Sequence, residues 1–105
     1  MAEATLAGVT VERDDEGFFK NPDDWKEEMA PELAREIGID PLTEEHWKVI
    51  RFMREDFKVK GQVPSIRRMK NEGGISTKEL YNLFPKGPAK KAAYIAGLGK
   101  PHGCI

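Results

Sequence analysis

Prolines and glycines cut this chain into short helical pieces: Pro22, Pro31, Pro64 and Pro88 stand where helices can begin, and Gly38, Gly61, Gly73-Gly74 and Gly97 where they can end. Proline has no N–H to give a helix interior, so it suits the first turn, whereas glycine accepts the left-handed geometry that closes the last. Asn21 can cap a helix starting near Pro22, with Asp23 and Asp24 at its positive end. Pro31 disfavours helical geometry at Ala30, which predicts two short pieces with a break there, the second stopping at Gly38. Thr43-Glu44-Glu45 opens the clearest helix and Gly61 closes it. Trp47, Ile50, Met53 or Arg54, and Phe57 share one side of it, widened by Val49 and Phe52. That spacing reads as core rather than as a ligand pocket, and His46 near the helix start has no recognisable ligand partner. Pro64-Ser65 begins a shorter helix through Lys70, and after Gly73-Gly74 either Ser76 or Thr77 caps another through Leu80, Leu83 and Phe84. Pro88 opens a last helix over residues 89–96. Ahead of all these, residues 5–12 read as a strand, and Asp14-Asp15-Glu16-Gly17 as the turn leading to a second apolar segment at Phe18-Phe19, a small hairpin.

The 105 residues suffice for a single domain over residues 1–105 and not for a catalytic domain beside a cofactor domain. No apolar run reaches the roughly 18 residues of a membrane span, and no secretory leader is recognisable, so a cytoplasmic protein that does not contact membranes is expected. Charge is divided unevenly. Residues 1–56 hold 16 Asp and Glu against 7 Lys and Arg, and residues 57–105 hold 2 against 10. Attraction between two faces of one domain accounts for such a split, and so does an anionic partner near the C-terminal part.

A single cysteine, Cys104, precludes an internal disulfide and a thiolate zinc site, and no metal or cofactor is expected. Lone cysteines are commonly inert core thiols. This one stands one place from the end, after Gly97, Gly99, Pro101 and Gly103, where exposure is the rule and a core is not. A mobile thiol can enter another protein's site, attack sulfur there as a thiolate and leave carrying a persulfide. Lys100, protonated His102 and the nearby Lys90 and Lys91 favour the thiolate, while the terminal carboxylate of Ile105 opposes it. His102 can serve as a general base or simply lie exposed. No nucleophile elbow, phosphate-binding glycine loop or H-E-x-x-H helix competes with Cys104.

Several blocks are unusual: Asp14-Asp15-Glu16-Gly17-Phe18, Asn21-Pro22-Asp23-Asp24-Trp25, Leu42-Thr43-Glu44-Glu45-His46-Trp47, Leu83-Phe84-Pro85-Lys86-Gly87-Pro88-Ala89-Lys90, and Ile95-Ala96-Gly97-Leu98 through Lys100-Pro101 to Gly103-Cys104-Ile105. In this order, from Val9 to the last residue, they resemble the DsrC/TusE sulfur-relay family. The resemblance implies a mainly α fold: a small helical bundle with a helix-turn-helix-like element, an N-terminal β-hairpin, and a flexible C-terminal arm, residues 97–105, bearing the reactive Cys104. DsrC proper has a second cysteine eleven residues upstream, where this chain has Ala93, so its two-thiol cycle is not available here. The chain also reads as shorter than DsrC proper between Met69 and Tyr81, and Gly99 replaces a proline of the usual arm. Both departures count against partnership with dissimilatory sulfite reductase. TusE-type members lack the upstream cysteine too, and pass persulfide sulfur from an upstream carrier to the enzyme that makes 2-thiouridine in tRNA. The shortened segment is less typical of TusE as well, which leaves open a single-cysteine DsrC-like member with a role in sulfur oxidation or regulation.

The leading expectation is a sulfurtransferase-type carrier, not a stand-alone enzyme, that takes sulfane sulfur on Cys104 and hands it from a donor carrier to an acceptor enzyme, with tRNA reached only through the acceptor. The basic segment from Lys86 to Lys100, with Lys90 and Lys91, is a candidate partner contact that orients the arm on an acidic carrier or next to tRNA held by the acceptor; plain solubility is the alternative. A different expectation is a DNA-binding regulator, with Arg67, Arg68, Lys70 and Lys78 of the helix-turn-helix-like element on phosphates. Few Arg, Asn or Gln residues are available there for base edges. A third is an accessory, gamma-type subunit docking on a sulfite reductase.

Overall fold

The computed structural model describes residues 2–39 and 41–99. Five α-helices, preceded by a hairpin and two 3-10 turns, surround one principal core. Strands β1 (Ala2–Leu6) and β2 (Val9–Arg13) pair antiparallel, with Leu6 opposite Val9. The hairpin therefore turns at Ala7-Gly8, where φ is 50° and 80°, and not at residues 14–17. A two-residue loop with both residues left-handed matches the twist of paired strands. Residues 14–17 form a second turn, in which Asp14 Oδ1 accepts the Glu16 and Phe18 N–H groups at 2.9 Å and the chain returns to a single bridge between Arg13 and Phe19. The Ala7 N–H donates to Glu32 Oε2 at 2.6 Å, seating the hairpin tip on the first helix.

Asn21 caps the 3-10 turn Pro22–Asp24 through its side chain, as expected. The break falls at Trp25-Lys26, earlier than Pro31. A second 3-10 turn, Glu27–Met29, then runs directly into α1 (Ala30–Glu36). Ala30 is helical despite the proline after it, because Pro31 sits in the first turn, where no N–H is needed.

Helix α2 (Glu44–Lys60) is capped by Thr43 and closed by left-handed Gly61. His46 completes the cap: the Thr43 N–H donates to its Nδ1 at 3.0 Å, and its Nε2–H donates to the Leu83 carbonyl at 3.0 Å. The imidazole thus ties the start of α2 to Leu83 and is structural. Helices α3 (Ile66–Asn71) and α4 (Thr77–Leu83) follow, capped by Ser65 and Ser76, with the Gly73-Gly74 turn between them. Helix α5 (Pro88–Ile95) is the central element, with Ala89, Ala92, Ala93 and Ile95 wholly buried. Alanine on that face lets α1, α2 and α4 pack against it. Val49, Ile50, Met53, Met69, Leu80 and Phe84 fill the core around it.

Candidate functional site

Helix α5 carries the chain toward Cys104, and its C-terminal end is held by Trp25 and Arg54. The Trp25 indole N–H donates to the Ile95 carbonyl at 2.9 Å. Arg54, from the middle of α2, donates from Nη1 to the Ala96 carbonyl at 2.7 Å and from Nη2 to the Pro22 carbonyl at 3.1 Å. Its guanidinium also lies 4.3 Å from the centre of the Trp25 ring, in cation–π contact. Gly97 is left-handed at φ 72°, and a Cβ there would stand 2.2 Å from Trp25 Cδ1. Leu98 is buried, and its N–H donates to the Ala93 carbonyl at 3.0 Å, the last turn of a glycine-terminated helix. Gly97 and Leu98, the first two residues of the expected arm, are thus packed parts of the body. Cys104, Lys100 and His102 lie outside the described residues, as does the rest of the arm from residue 100.

A second network braces the other side of α5. Arg13, 7% exposed, donates from Nε to the Gly17 carbonyl at 2.8 Å and grips both Glu36 oxygens, at 2.6 and 3.2 Å. It also bonds the Tyr94 hydroxyl, which itself donates to Glu36 at 2.6 Å. The Arg13 bonds hold the Glu36 carboxyl below its ordinary value against the opposing effect of burial. Burial first, and the hydrogen bond to Glu36 next, push the Tyr94 phenol up to about 12. The signs differ. Glu36 stabilises the fold above the ordinary carboxylate range and loses that contribution as pH falls through its lowered value. Tyr94 is lost at the other end: an unfolded phenol ionises near 10, so its contribution fades as pH rises from about 10 to 12. Absorbance titration of the phenolates should show a step near 12 that Tyr94→Phe removes. A titration complete by pH 11 would contradict the network.

The candidate contact residues separate into two groups. Lys86, Lys90 and Lys91 come together on the rim of an open groove of about 290 Å³ beside α5, over Phe18, Ile37 and Tyr94. Arg67, Lys70 and Lys78 are exposed on α3 and α4. Arg68 is committed instead to Asp56 of α2, with Nε to Oδ2 at 3.0 Å and Nη2 to Oδ1 at 2.5 Å. A guanidinium held in this bidentate fork is not offered to a phosphate. The helix-turn-helix-like element packs by this ion pair and by Met69, Ile75 and Leu80, and the DNA-binding reading gains no support. The chain's sequence did carry a signal for Arg54, a cation among Ile50, Met53 and Phe57 on the buried side of α2; Trp25 and Arg13 carried none.

The family described as DsrC like protein matches residues 5–105. The chain belongs to the DsrC-like family. Among its relatives, the protein named sulfurtransferase TusE of Photorhabdus laumondii is 46% identical over 112 aligned positions, with all of both chains covered. The dissimilatory-type sulfite reductase subunit gamma of Nitratidesulfovibrio vulgaris is 39% identical over 105 positions, again with all of both covered. The solution structure of the Pyrobaculum aerophilum DsrC/gamma subunit of dissimilatory sulfite reductase superposes with a TM-score of 0.82 at 43% identity, covering 99% of this chain and 95% of that one. These alignments correct one expectation. The gamma subunit carries no residues that this DsrC-like chain lacks, so the chain is short relative to that TusE and not relative to that gamma subunit. Among the described residues, no helix is long and apolar enough to cross a membrane.

Proposed function

We propose that this DsrC-like protein is a sulfur-relay carrier, accepting sulfane sulfur on Cys104 and passing it to a partner enzyme. The observation that carries the reading is an end-to-end match to a sulfurtransferase TusE in a chain whose one cysteine is the penultimate residue. In loading, the Cys104 thiolate attacks the outer sulfur of the donor's persulfide. A new S–S bond forms on Cys104, the donor's S–S bond breaks, and its electron pair leaves on the donor thiolate. Delivery is the same exchange in reverse: an acceptor thiolate takes the outer sulfur and Cys104 leaves as thiolate, with no net oxidation. Position 93 holds an alanine on the buried face of α5, so no second thiol is present to expel the cargo internally. The acceptor must supply it.

Docking on a sulfite reductase is a second reading, favoured by the alignment in which the gamma subunit needs no additional residues. One experiment separates the two. Reduced protein is incubated with a persulfide donor and its intact mass read. One added sulfur, located on the C-terminal peptide and absent from Cys104→Ser, is the expected result. No mass gain, or an equal gain on Cys104→Ser, would reject the relay reading and leave docking.

A further inference from the structure

We infer that the groove beside α5 receives an acidic segment of the relay partner, anchored by one bulky apolar side chain; the inference rests on the relay reading. At about 290 Å³ the groove is at the small end of the ~300–1,000 Å³ typical of ligand pockets, room for one or two side chains rather than a cofactor. Its floor is apolar. Phe18 and Tyr94 meet edge to face with ring centres 5.5 Å apart, Ile37 lies beside them, and the Tyr94 hydroxyl is already spent on Arg13 and Glu36. Such a floor offers a ligand contact area and little else.

The rim is cationic. Lys90 lies 3.7 Å from Glu16, but among the described residues Lys86 and Lys91 have no ion-pair partner. Lys86 is placed there by an unfavourable backbone, φ 61°, followed by Gly87 at 112°. Two ammonium groups without an ion-pair partner call for carboxylates. A nucleic acid fits less well, because Glu16 on the same rim would face its continuous run of phosphates, whereas a peptide can space its charges around that carboxylate. The groove flanks α5, so a partner seated there contacts the helix from which the chain runs on toward Cys104.

Random short peptides displayed on phage, selected against the full-length chain carrying Cys104→Ser, test the assignment. Enrichment of sequences with acidic residues around a Phe, Leu or Trp is expected. A synthetic peptide of that consensus should shift the backbone amides of Phe18, Ile37 and Lys91. It should bind at least tenfold more weakly to Lys86→Glu/Lys91→Glu, and more weakly as salt is raised. Selection of the same peptides by the charge-reversed protein, shifts confined to another face, or preferential binding of single-stranded RNA to the groove would each overturn it. So would occupation of the groove by a synthetic peptide of residues 100–105, which would make the chain's own end the occupant. Persulfide loading is read separately: loading without peptide selection defeats the groove alone, and peptide binding without loading defeats the relay reading.

Discussion

Replacing Gly97 by alanine is expected to destabilise the protein by about 3 kcal/mol, a fall of roughly 12–24 °C in Tm for a domain of this size. Two costs add. A non-glycine residue in left-handed geometry loses ~1–2 kcal/mol, and Gly97 sits at φ 72°. The new Cβ would also stand 2.2 Å from Cδ1 and 2.4 Å from Cγ of Trp25, inside any tolerable contact, so the indole must move. Overpacking of this kind costs ~1–3 kcal/mol, and here it also threatens the indole hydrogen bond to the Ile95 carbonyl and the Arg54 stack. Gly38→Ala separates the contributions. Gly38 has φ 80° but nothing within 4 Å of its would-be Cβ, so it should lose only the backbone part. Thermal unfolding of the two variants decides the matter. Equal losses would mean that Trp25 does not press on the chain at Gly97.

Sequence made the local features legible and the long-range ones not. Thr43 and Ser65 are readable as helix starts, Gly61 as a stop, and Ser76 as one of two possible caps, because a helix end is decided within four residues. The hairpin turn was misplaced because Ala7 lacks the Asn or Asp that advertises a two-residue loop, while Asp14 to Gly17 advertises a turn that exists but joins only one bridge. Pro31 predicts a break at Ala30, yet Ala30 is helical, because a proline in the first turn does not break a helix. His46 shows no partner in the sequence because the Leu83 carbonyl that its Nε2 meets is 37 residues away. Distance along the chain hides the site likewise. Trp25 meets Ile95 across 70 residues, Arg54 meets Ala96 across 42, and Arg13 meets Tyr94 across 81. Lys86, Lys90 and Lys91 were visible as charge, but the apolar floor that makes their rim a groove draws on Phe18 and Ile37, from other elements.

Arg54→Met is expected to cost about 2–3 kcal/mol and, more tellingly, to loosen one place. Methionine keeps the aliphatic stem against its neighbours and deletes the guanidinium, so packing is largely preserved. What is lost are two charge-assisted bonds, to the Ala96 and Pro22 carbonyls, and the stack on Trp25. Bonds from a charged donor are worth ~1.5–3 kcal/mol each in favourable settings, and a cation–π contact ~0.5–2 kcal/mol. Partial burial of the guanidinium, which lowers its pKa, offsets part of that gain, so the net falls well short of the sum. The loss should concentrate where α5 ends. Leu98, whose N–H bonds the Ala93 carbonyl, sits two residues beyond Ala96, the last residue the clamp grips, and its amide should exchange with solvent tenfold or more faster in Arg54→Met. Amides of Ile50 and Met53, deep in α2, should accelerate only as far as global stability falls. Trp25→Phe, which removes the indole N–H and leaves a smaller ring under Arg54, should act on the same amide, and the double variant should lose less than the two singles together, since one single removes the shared stack and the other weakens it. Uniform acceleration of all slow amides would instead make Arg54 an ordinary contributor to stability. Selective exposure of Leu98 would identify Arg54 and Trp25 as the residues that fix where the body ends and the chain toward Cys104 begins.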